Sequence, residues 1–413
     1  MSCNEWKNVK IDDICDIRRG ASPRPIIKYV AEKGIPWVKI ADATSANSRY
    51  ISNTKEYICE EGKDKSVFIK KGDLILSNSA TPGIPKFMGI DACIHDGWLL
   101  LNNFKQCNKM FLYYKLVNDR EKLLCNANGS VFKNLKTDIV KNHIIKLPPL
   151  EEQEKIATIL SCLDDKIELN NEMNKTLEEM AQSIFKRWFV DFEFPNEDGE
   201  PYKSSGGEMV DSELGMIPKG WEVKTLDYVG DIVSGGTPST KNEEYYGGDI
   251  SWITPKDLSG YNRKFISKGE RCITELGLQK SSAKLLPKGT VLFSSRAPIG
   301  YVAIAEKEVS TNQGFKSVVC NEEIMNNNYV YYFLKYNKEN IENVSSGSTF
   351  KEISGSHMKN IKIIVPSKII IDKFNDLVSS FDSLLKKNYE DIDTLEEIRD
   401  SLLPKLMSGE IQI

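Results

Sequence analysis

The stretch IATILSCLDDKIELNNEMNKTLEEMAQSIFKRW (156–188) decides the fold, because its apolar residues recur at alternating spacings of four and three. The same spacing returns 218 residues later in FNDLVSSFDSLLKKNYEDIDTLEEIRDSLLPKL (374–406). An apolar repeat that averages 3.5 residues over more than four heptads is typical of a coiled-coil seam. At a rise of about 1.5 Å per residue, such a stretch forms a rod of roughly 50 Å. The pattern therefore predicts two long helices.

The predicted seam consists of the residues that keep this spacing in both helices. They are Ile156, Leu160, Leu163, Ile167, Asn170, Asn174, Leu177, Ala181, Ile184 and Trp188 in the first helix, and Phe374, Val378, Phe381, Leu385, Asn388, Ile392, Leu395, Arg399, Leu402 and Leu406 in the second. The three asparagines lie near the middle, where a polar seam residue either fixes the register at a cost in stability or is a local solvated defect. Pro148 and Pro149 precede the first helix, and Pro404 is expected to bend or end the second.

The rest of the sequence is also duplicated. Trp6 and Trp221 begin two similar segments at an offset of 215. Further along, KGDLILS (71–77) aligns with KGTVLFS (288–294) at an offset of 217. At an offset of 218, GSVFK (129–133) faces GSTFK (347–351). Two loop insertions account for so small a drift. The chain is therefore an internal repeat.

Each copy begins with short β-like runs, turns rich in Gly, Pro, Asn and Ser, and a few helical stretches, which predicts a compact α/β domain of about 150 residues. We predict a mixed α/β fold in which two such domains are joined by two long antiparallel helices that form a coiled coil about a pseudo-twofold axis. The predicted boundaries are 1–148 for the first domain, 149–189 for the first helix, 190–217 for an acidic linker rich in Gly, Ser and Pro, 218–366 for the second domain and 367–413 for the second helix.

The charge distribution is more informative than the net charge of −4. Residues 1–150 carry 24 Lys and Arg against 16 Asp and Glu, and residues 214–366 carry 19 against 16. The intervening residues 151–213 carry 6 against 17, and residues 367–413 carry 6 against 10. Two basic blocks thus alternate with two acidic ones. A locally basic surface suits contact with nucleic-acid phosphates, most clearly in the first block.

Several classes of protein are disfavoured by composition. Nine cysteines without a CxxC pair and only three histidines disfavour a zinc site or a disulfide framework. No stretch approaches the roughly 18 apolar residues of a membrane span. MSCNEWKNVK (1–10) lacks the apolar core of a signal peptide, so a cytoplasmic location is expected.

Catalytic motifs are missing as well. The sequence contains no (N/D)PP(Y/F) loop of an adenine methyltransferase and no GxxxxGK(S/T) phosphate loop. SGGTPS (234–239) lacks the GxG spacing of a nucleotide-binding turn, and E-x-K triplets such as Glu61–Lys63 have no partner acid at a spacing that suits a nuclease metal. We therefore expect a protein without a catalytic site or a metal of its own.

Together, the repeat and several motifs resemble the specificity subunit of Type I restriction–modification systems. The motifs are GMIPKGWE (215–222), DIVSGGTPS (231–239), SSRAPIG (294–300), TNQGFK (311–316), GSTFKEIS (347–354) and LPPLEEQEKIATILSCLDDKIE (147–168). The first copy departs from this pattern, since SNSATPGIPKF (77–87) lacks the arginine of SSRAPIG and IHDGWLLLNNF (94–104) replaces TNQGFK. Two domains that read different half-sites are expected to differ in this way.

The resemblance implies that each domain is a target recognition domain for one half of a split, asymmetric site in double-stranded DNA. It implies that the paired helices act as a spacer and dock two copies of a modification (methyltransferase) subunit. Those copies bind S-adenosylmethionine and methylate adenine N6, so this chain carries no cofactor. A separate restriction (motor-nuclease) subunit joins for cleavage. A rod of roughly 50 Å corresponds to about 14 base pairs at ~3.4 Å each, so a four-residue insertion in the helix tests whether helix length sets the spacer.

The candidate DNA-binding residues are polar or basic side chains in loops that match these motifs, since base edges and phosphates are contacted by such groups. In the first domain they are Arg18, Arg19, Ser22, Arg24, Asn78, Ser79, Lys86, Ser130 and Lys133. In the second domain they are Thr237, Ser239, Lys241, Arg296, Asn312, Gln313, Lys316, Ser348 and Lys351. The alternative for each residue is ordinary turn chemistry without DNA contact.

Two other functions fit the same residues. One is the recognition subunit of a Type IIB-like system, in which a single fused polypeptide supplies both cleavage and methylation; the partner genes distinguish it. The other is a coiled-coil scaffold that joins proteins without DNA, which predicts no basic bias in the globular domains.

Overall fold

The structure is a computed structural model that describes residues 6–46, 48–125, 134–296, 298–343 and 352–413. It divides into two compact units. The first comprises Met1–Glu172 and Asn388–Ile413, and the second comprises Met173–Lys387. Each unit therefore contains one globular domain, one half of the first long helix and one half of the second.

Two five-stranded sheets form the frame of the first domain in its described residues. The central sheet has the order Asp16–Arg19, Trp98–Asn102, Leu74–Ser77, Pro85–Met88 and Tyr50–Ile51, and the outer sheet has the order Val30–Ala31, Tyr57–Ile58, Ile35–Val38, Ala92–Ile94 and Val67–Ile69. A ribbon pairs Lys7–Lys10 with Ile144–Leu147. The helices are Ile11–Ile14, Ile40–Ser45, Glu60–Lys63, Lys109–Asn118, Arg120–Cys125 and Thr137–Lys141, with a 3₁₀ turn at Ile26–Lys28.

The second domain repeats this topology. Its five-stranded sheet has the order Gly230–Ser234, Lys316–Cys320, Val291–Phe293, Val302–Ala305 and Phe265–Ile266, and its four-stranded sheet has the order Arg271–Ile273, Tyr246–Ile253, Val309–Thr311 and Leu285–Leu286. The ribbon is Glu222–Thr225 with Lys362–Val365. The helices are Leu226–Val229, Glu275–Gln279, Asn327–Tyr336, Lys338–Asn343 and Gly355–Lys359, with a 3₁₀ turn at Glu243–Tyr245. In both central sheets the last pair of strands is parallel and the others are antiparallel.

Strand alternation explains why the central sheet is buried on both faces. Leu74 and Leu76 share a core cluster with Phe111, from the helix that covers one face. Ile75, which points the opposite way, shares a cluster with Val38 of the outer sheet. Because successive side chains of a strand point to opposite faces, a fully buried strand such as Leu74–Ser77 needs both layers.

The two long helices, Leu150–Phe189 and Lys368–Ser408, are antiparallel. In the first unit, Arg399 near the end of the second helix donates to Asp164 in the first half of the first helix, at 2.8 Å. In the second unit, the ring of Phe185 near the end of the first helix lies 6.1 Å from that of Phe374 near the start of the second. The predicted fold class is confirmed: two mixed α/β domains in an internal repeat, joined by two long antiparallel helices.

Pro404 does not end the second helix, so the expectation that it could end the helix there is wrong. The helix continues to Ser408, and Gly409 terminates it with a φ of 80°. Leu403, Leu406 and Met407 are buried in the core of the first domain. Burial of these apolar side chains offsets the backbone hydrogen bond that proline removes from the last turns.

The segment between the first helix and the second domain contains ordered structure. Strands Met209–Val210 and Ile217–Pro218 pair in it. The ring of Phe194 stacks on Tyr202 at 4.6 Å and on Trp221 at 4.8 Å. Among the described residues, no helix combines the length and the apolar character that crossing a bilayer requires.

A buried cation joins each domain to the long helix that follows it. Arg49, 5% exposed, lies 3.9 Å from Asp164 and 3.0 Å from Glu168. Lys264, the repeat counterpart of Arg49 at an offset of 215, lies 2.5 Å from Asp382, the counterpart of Asp164 at an offset of 218. The same cation–carboxylate contact thus anchors both domains, although its cation differs.

Candidate nucleic-acid interface

The first domain gathers three of the predicted residues around the turn of residues 95–97. Arg19 Nε and Asn78 Nδ2 donate to the backbone carbonyl of Asp96, at 2.9 and 3.2 Å. Ser22 Oγ donates to the Asp96 carboxylate at 2.6 Å. Asn78 is buried, whereas the Asp96 and Arg19 side chains are 44% and 59% exposed. We refer to Ser22, Asn78 and residues 95–97 as the first turn site.

The second domain gathers three of the predicted residues, Thr237, Asn312 and Gln313, at the turn of residues 312–314. Thr237 Oγ1 donates to Gln313 Oε1. The backbone N–H of Ser295 donates to the carbonyl of Gly314 at 2.7 Å. We refer to Thr237, Ser295 and residues 312–314 as the second turn site.

The two turn sites are built alike, residue for residue. In the first, the N–H of Gly97 donates to His95 Nδ1 at 2.9 Å, and in the second, the N–H of Gly314 donates to Asn312 Oδ1 at 2.9 Å. Ser22 and Thr237 are counterparts at an offset of 215. The backbone is thus the same in both sites, while the side chains presented at the tip are Asp96 in one and Gln313 in the other.

Glycines hold the preceding strand against each turn. A Cβ on Gly20 would lie 2.1 Å from the carbonyl oxygen of His95, and a Cβ on Gly235 would lie 2.0 Å from that of Asn312. Both distances are far below van der Waals contact. Only glycine therefore permits this approach, which brings the loops carrying Ser22 and Thr237 next to the turns.

Electrostatics distinguish the two tips. The hydrogen bond from Ser22 lowers the pKa of Asp96, so this carboxyl is ionised at neutral pH. Arg19 lies 3.8 Å from the Asp96 carboxylate and offsets its charge. His95 is half-buried, and burial lowers the pKa of its imidazole, which favours the neutral ring. The first turn site therefore presents a hydrogen-bond acceptor beside a cation.

In the second domain the cations come from other positions, since Arg296 follows the strand Val291–Phe293 and Lys316 begins the strand Lys316–Cys320. Arg296 and Lys316 lie 3.5 and 3.9 Å from the carboxylate of Glu352. Burial lowers the pKa of Lys316, and the Glu352 carboxylate opposes this shift. Gln313 is exposed and carries both a donor and an acceptor. The second turn site therefore presents an amide, whereas Arg296 and Lys316 are paired with Glu352.

Other predicted residues lie apart from the turns. Lys86 Nζ donates to the backbone carbonyls of Ala46 (3.0 Å) and Ser48, and burial lowers its pKa. It therefore stabilises a loop, and this use leaves fewer of its donors for DNA. Arg24 is exposed and lines a cleft of about 630 Å³ together with Ser22 and Trp37.

The last candidates occupy varied positions. Arg18, Ser239 and Lys241 are exposed, and Ser239 begins a tight turn that ends at Asn242. Ser79 lies against the first turn, with its Oγ 2.6 Å from where a Cβ on Gly97 would stand. Four further candidates lie outside the described residues: Ser130, Lys133, Ser348 and Lys351.

The predicted seam residues of the long helices are all buried or half-buried. Ile156 and Leu160 join the core of the first domain, so part of the seam also packs on a domain. Asn170 is 0% exposed, and its side-chain amide has no hydrogen-bond partner among the described residues. A buried amide in this state costs stability, which is how a polar seam residue acts when it fixes a register.

His95 and Asp96 were not among the candidates predicted from the sequence, because the first copy lacks the TNQG motif of the second. The signal that identifies them is positional. At an offset of 217, IHDG (94–97) aligns with TNQG (311–314) and the two final glycines coincide. Among the described residues, His, Cys, Asp and Glu side chains form no group of three or more that could hold a metal ion.

Comparison with known proteins identifies the family. A family model described as Type I restriction modification DNA specificity domain matches residues 4–179 and 218–394, and these ranges include both turn sites. The HindI specificity subunit of the Type I restriction enzyme from Haemophilus influenzae is 29% identical over 473 aligned positions, which span 99% of this chain and 100% of that protein.

Two further similarities are partial or structural. The MjaIX specificity subunit of the Type I restriction enzyme from Methanocaldococcus jannaschii is 44% identical over 193 residues, which span 46% of this chain and 44% of that protein. The crystal structure of the Type I restriction–modification S subunit from M. genitalium superposes with a TM-score of 0.60 at 17% identity, over 98% of this chain and 97% of that one, which supports the fold. Because the family model matches twice and covers most of the sequence, the chain belongs to the family of Type I restriction–modification DNA specificity proteins.

Proposed function

We propose that the chain is the specificity subunit of a Type I restriction–modification complex and binds a split, asymmetric DNA site, with one half-site for each domain. The observation that carries this proposal is the pair of turn sites, which share a backbone and differ in the side chains at the tip. Two readers on one scaffold suit two half-sites of different sequence. Exposed Arg19 and half-buried Arg296 suit contact with the phosphates that flank each half-site.

The complex is proposed to draw its chemistry from partners. Two modification subunits dock on the long helices, bind S-adenosylmethionine and methylate adenine N6, one in each half-site. A restriction subunit joins them for cleavage, and this chain contributes no catalytic group. The names of the relatives support this division of labour, since both are specificity subunits of Type I restriction enzymes. The repeat supports two docking positions, because each helix half recurs in the other unit.

The long helices are proposed to set the number of unread base pairs between the half-sites. The first helix has 40 residues, which corresponds to about 60 Å at 1.5 Å per residue. The buried contacts of Arg49 and Lys264 fix each domain on its helix. A rigid attachment of this kind turns helix length into spacer length.

Selection of DNA from a random library tests the proposal. The purified chain, assembled with its cognate modification subunit, is incubated with duplexes that carry a long randomised block, and bound duplexes are sequenced after several rounds. We expect two short fixed blocks of different sequence separated by a constant unread spacer, with affinity that falls steeply as salt rises. Enrichment of one continuous motif, or of no motif, would contradict the proposal and favour the protein scaffold.

A further inference from the structure

We propose that Asp96 and Gln313 are specificity-determining residues, with Asp96 selecting cytosine in one half-site and Gln313 selecting adenine in the other. This inference rests on the proposed function, and it names the chemistry by which each turn site reads a base. It assigns a role to Asp96, which no motif of the sequence indicates.

Asp96 and Gln313 occupy equivalent positions in the two domains. Asp96 and Gln313 are the middle residues of matching turns, each followed by a glycine whose N–H is bonded to the residue before. Both side chains reach the solvent at the tip of a loop, whereas the residues beneath them are packed against a glycine of the neighbouring strand. A rigid backbone with an exposed, exchangeable side chain is the arrangement that direct readout of bases requires.

A hydroxyl contacts each of these two side chains, which we call the readers. Ser22 donates to Asp96 Oδ1, so Oδ2 remains as an acceptor. In the major groove, guanine and thymine present acceptors at the corresponding edge, and adenine presents an acceptor beside its amine. Cytosine alone offers its N4 amine without an adjoining acceptor on its own edge. An ionised carboxylate therefore favours cytosine.

In the second site, Thr237 donates to Gln313 Oε1, which leaves the second lone pair of that oxygen and both protons of Nε2. An amide in this state can accept from adenine N6 and donate to adenine N7 at once. Because Thr237 engages the oxygen of this amide, the two Nε2 protons are left for a ligand. The equivalent hydroxyl contact thus leaves an acceptor available in the first site and a donor–acceptor pair in the second.

The neighbouring cations make a different contribution. The Arg19 guanidinium donates through Nε to the Asp96 backbone carbonyl, and its Nη2 lies 3.8 Å from Asp96 Oδ2, which is beyond hydrogen-bond distance. The outer nitrogens of this exposed side chain can therefore still donate to a ligand. Such groups suit phosphate oxygens, whose position along the duplex carries no sequence information. The charge of Arg19 also offsets the repulsion between Asp96 and the DNA backbone.

Exchange of the two readers tests the inference in the intact complex. The chain and its cognate modification subunit are expressed in a host without adenine methylation, and the methylated motif is read by single-molecule sequencing. Asp96→Asn is expected to move one position of one half-site from cytosine toward adenine, with discrimination changed about ten- to hundredfold. Gln313→Glu is expected to move one position of the other half-site from adenine toward cytosine.

Matched controls make the same chemical exchange at exposed positions of the same domains. Asp64→Asn and Gln279→Glu are expected to keep the wild-type motif. A motif that stays unchanged in both reader variants would overturn the inference, as would a loss of methylation that is uniform over all related sites. If the wild-type complex itself yields no split motif, the proposed function fails first.

A second pair of variants applies if a reader exchange destabilises its domain. Ser22→Ala and Thr237→Ala keep both readers but remove the hydroxyls that orient them. We expect each to relax discrimination at the position its reader occupies while the other half-site stays as in wild type. Unchanged discrimination in both would contradict the inference.

Discussion

The Lys264–Asp382 pair predicts that removal of one carboxylate destabilises the second unit strongly. The Lys264 side chain is 0% exposed and the Asp382 side chain 12%. The ammonium donates to Asp382 Oδ1 at 2.5 Å and to Asn328 Oδ1 at 2.7 Å. Burial lowers the pKa of Lys264 and raises the pKa of Asp382, and the attraction between the two charges opposes both shifts. Each charge is therefore tolerated in this place because the other is present.

The magnitude follows from this burial. Asp382→Ala removes the carboxylate that lies 2.5 Å from a buried ammonium, and breaking a buried ion pair in this way costs about 3–5 kcal/mol of unfolding free energy. The double variant Lys264→Met, Asp382→Leu removes both charges and fills the space with apolar groups. It is expected to recover most of the loss, and replacement of such a pair is often neutral or stabilising by about 1–4 kcal/mol.

Hydrogen exchange read by mass spectrometry is the assay, because a chain of two compact units need not unfold in one step. Protection of amides in the second unit is compared between variants. The control is Glu270→Ala, which breaks an ion pair with Lys256 of similar length, 2.6 Å, whose side chains are 65% and 78% exposed. The control is expected to change nothing measurable. A loss below about 1 kcal/mol for Asp382→Ala, or a double variant as unstable as the single one, would refute the reasoning.

Three further predictions follow from the helices and the first domain. Asn170→Leu should raise the unfolding free energy of the first unit by about 1–3 kcal/mol, because its buried amide has no partner among the described residues; a fall in denaturant midpoint would contradict this. Burial raises the pKa of Asp119, but the hydrogen bond from His143 and the charge of Lys115 outweigh it and lower the pKa to about 2. Because the folded-state pKa lies below the unfolded value of 3.8, the ionised carboxylate should contribute about 2 kcal/mol of unfolding free energy above pH 4. This contribution should be lost as the pH falls toward 2. In acid unfolding, Asp119→Asn should lack this pH-dependent loss of stability. Insertion of one heptad into both long helices lengthens each helix by about 10 Å and should lengthen the unread spacer by about three base pairs. An unchanged spacer in the methylated motif would show that helix length does not set spacer length.

The elements that could be predicted are those with a local period or a persistent offset. The four–three spacing of apolar residues depends only on neighbouring turns of one helix, so it identified both long helices. The offset of 215 to 218 predicted a duplicated domain, and both central sheets indeed share one strand order. The apolar spacing and the repeat offset persist when individual residues change, because the positions of buried residues are set by the geometry of the helix and of the domain.

Features that depend on tertiary contacts could not be predicted in the same way. Arg49 stands in a polar stretch, SANSRY (45–50), and only the fold buries it against Asp164 and Glu168. Pro404 was expected to bend or end its helix, yet the core of the first domain holds the turn that follows it. Asp96 became a candidate only when hydrogen bonds from Ser22 and Asn78 placed it at the tip of a turn.

We propose that this chain selects the DNA sequence that a methyltransferase modifies. The decisive measurement is single-molecule sequencing of host DNA, with the chain present and with its gene deleted. The account predicts methyl-adenine at one split, asymmetric motif in the first case and its disappearance in the second, with every other methylated motif retained. An identical methylome in both strains would contradict the account.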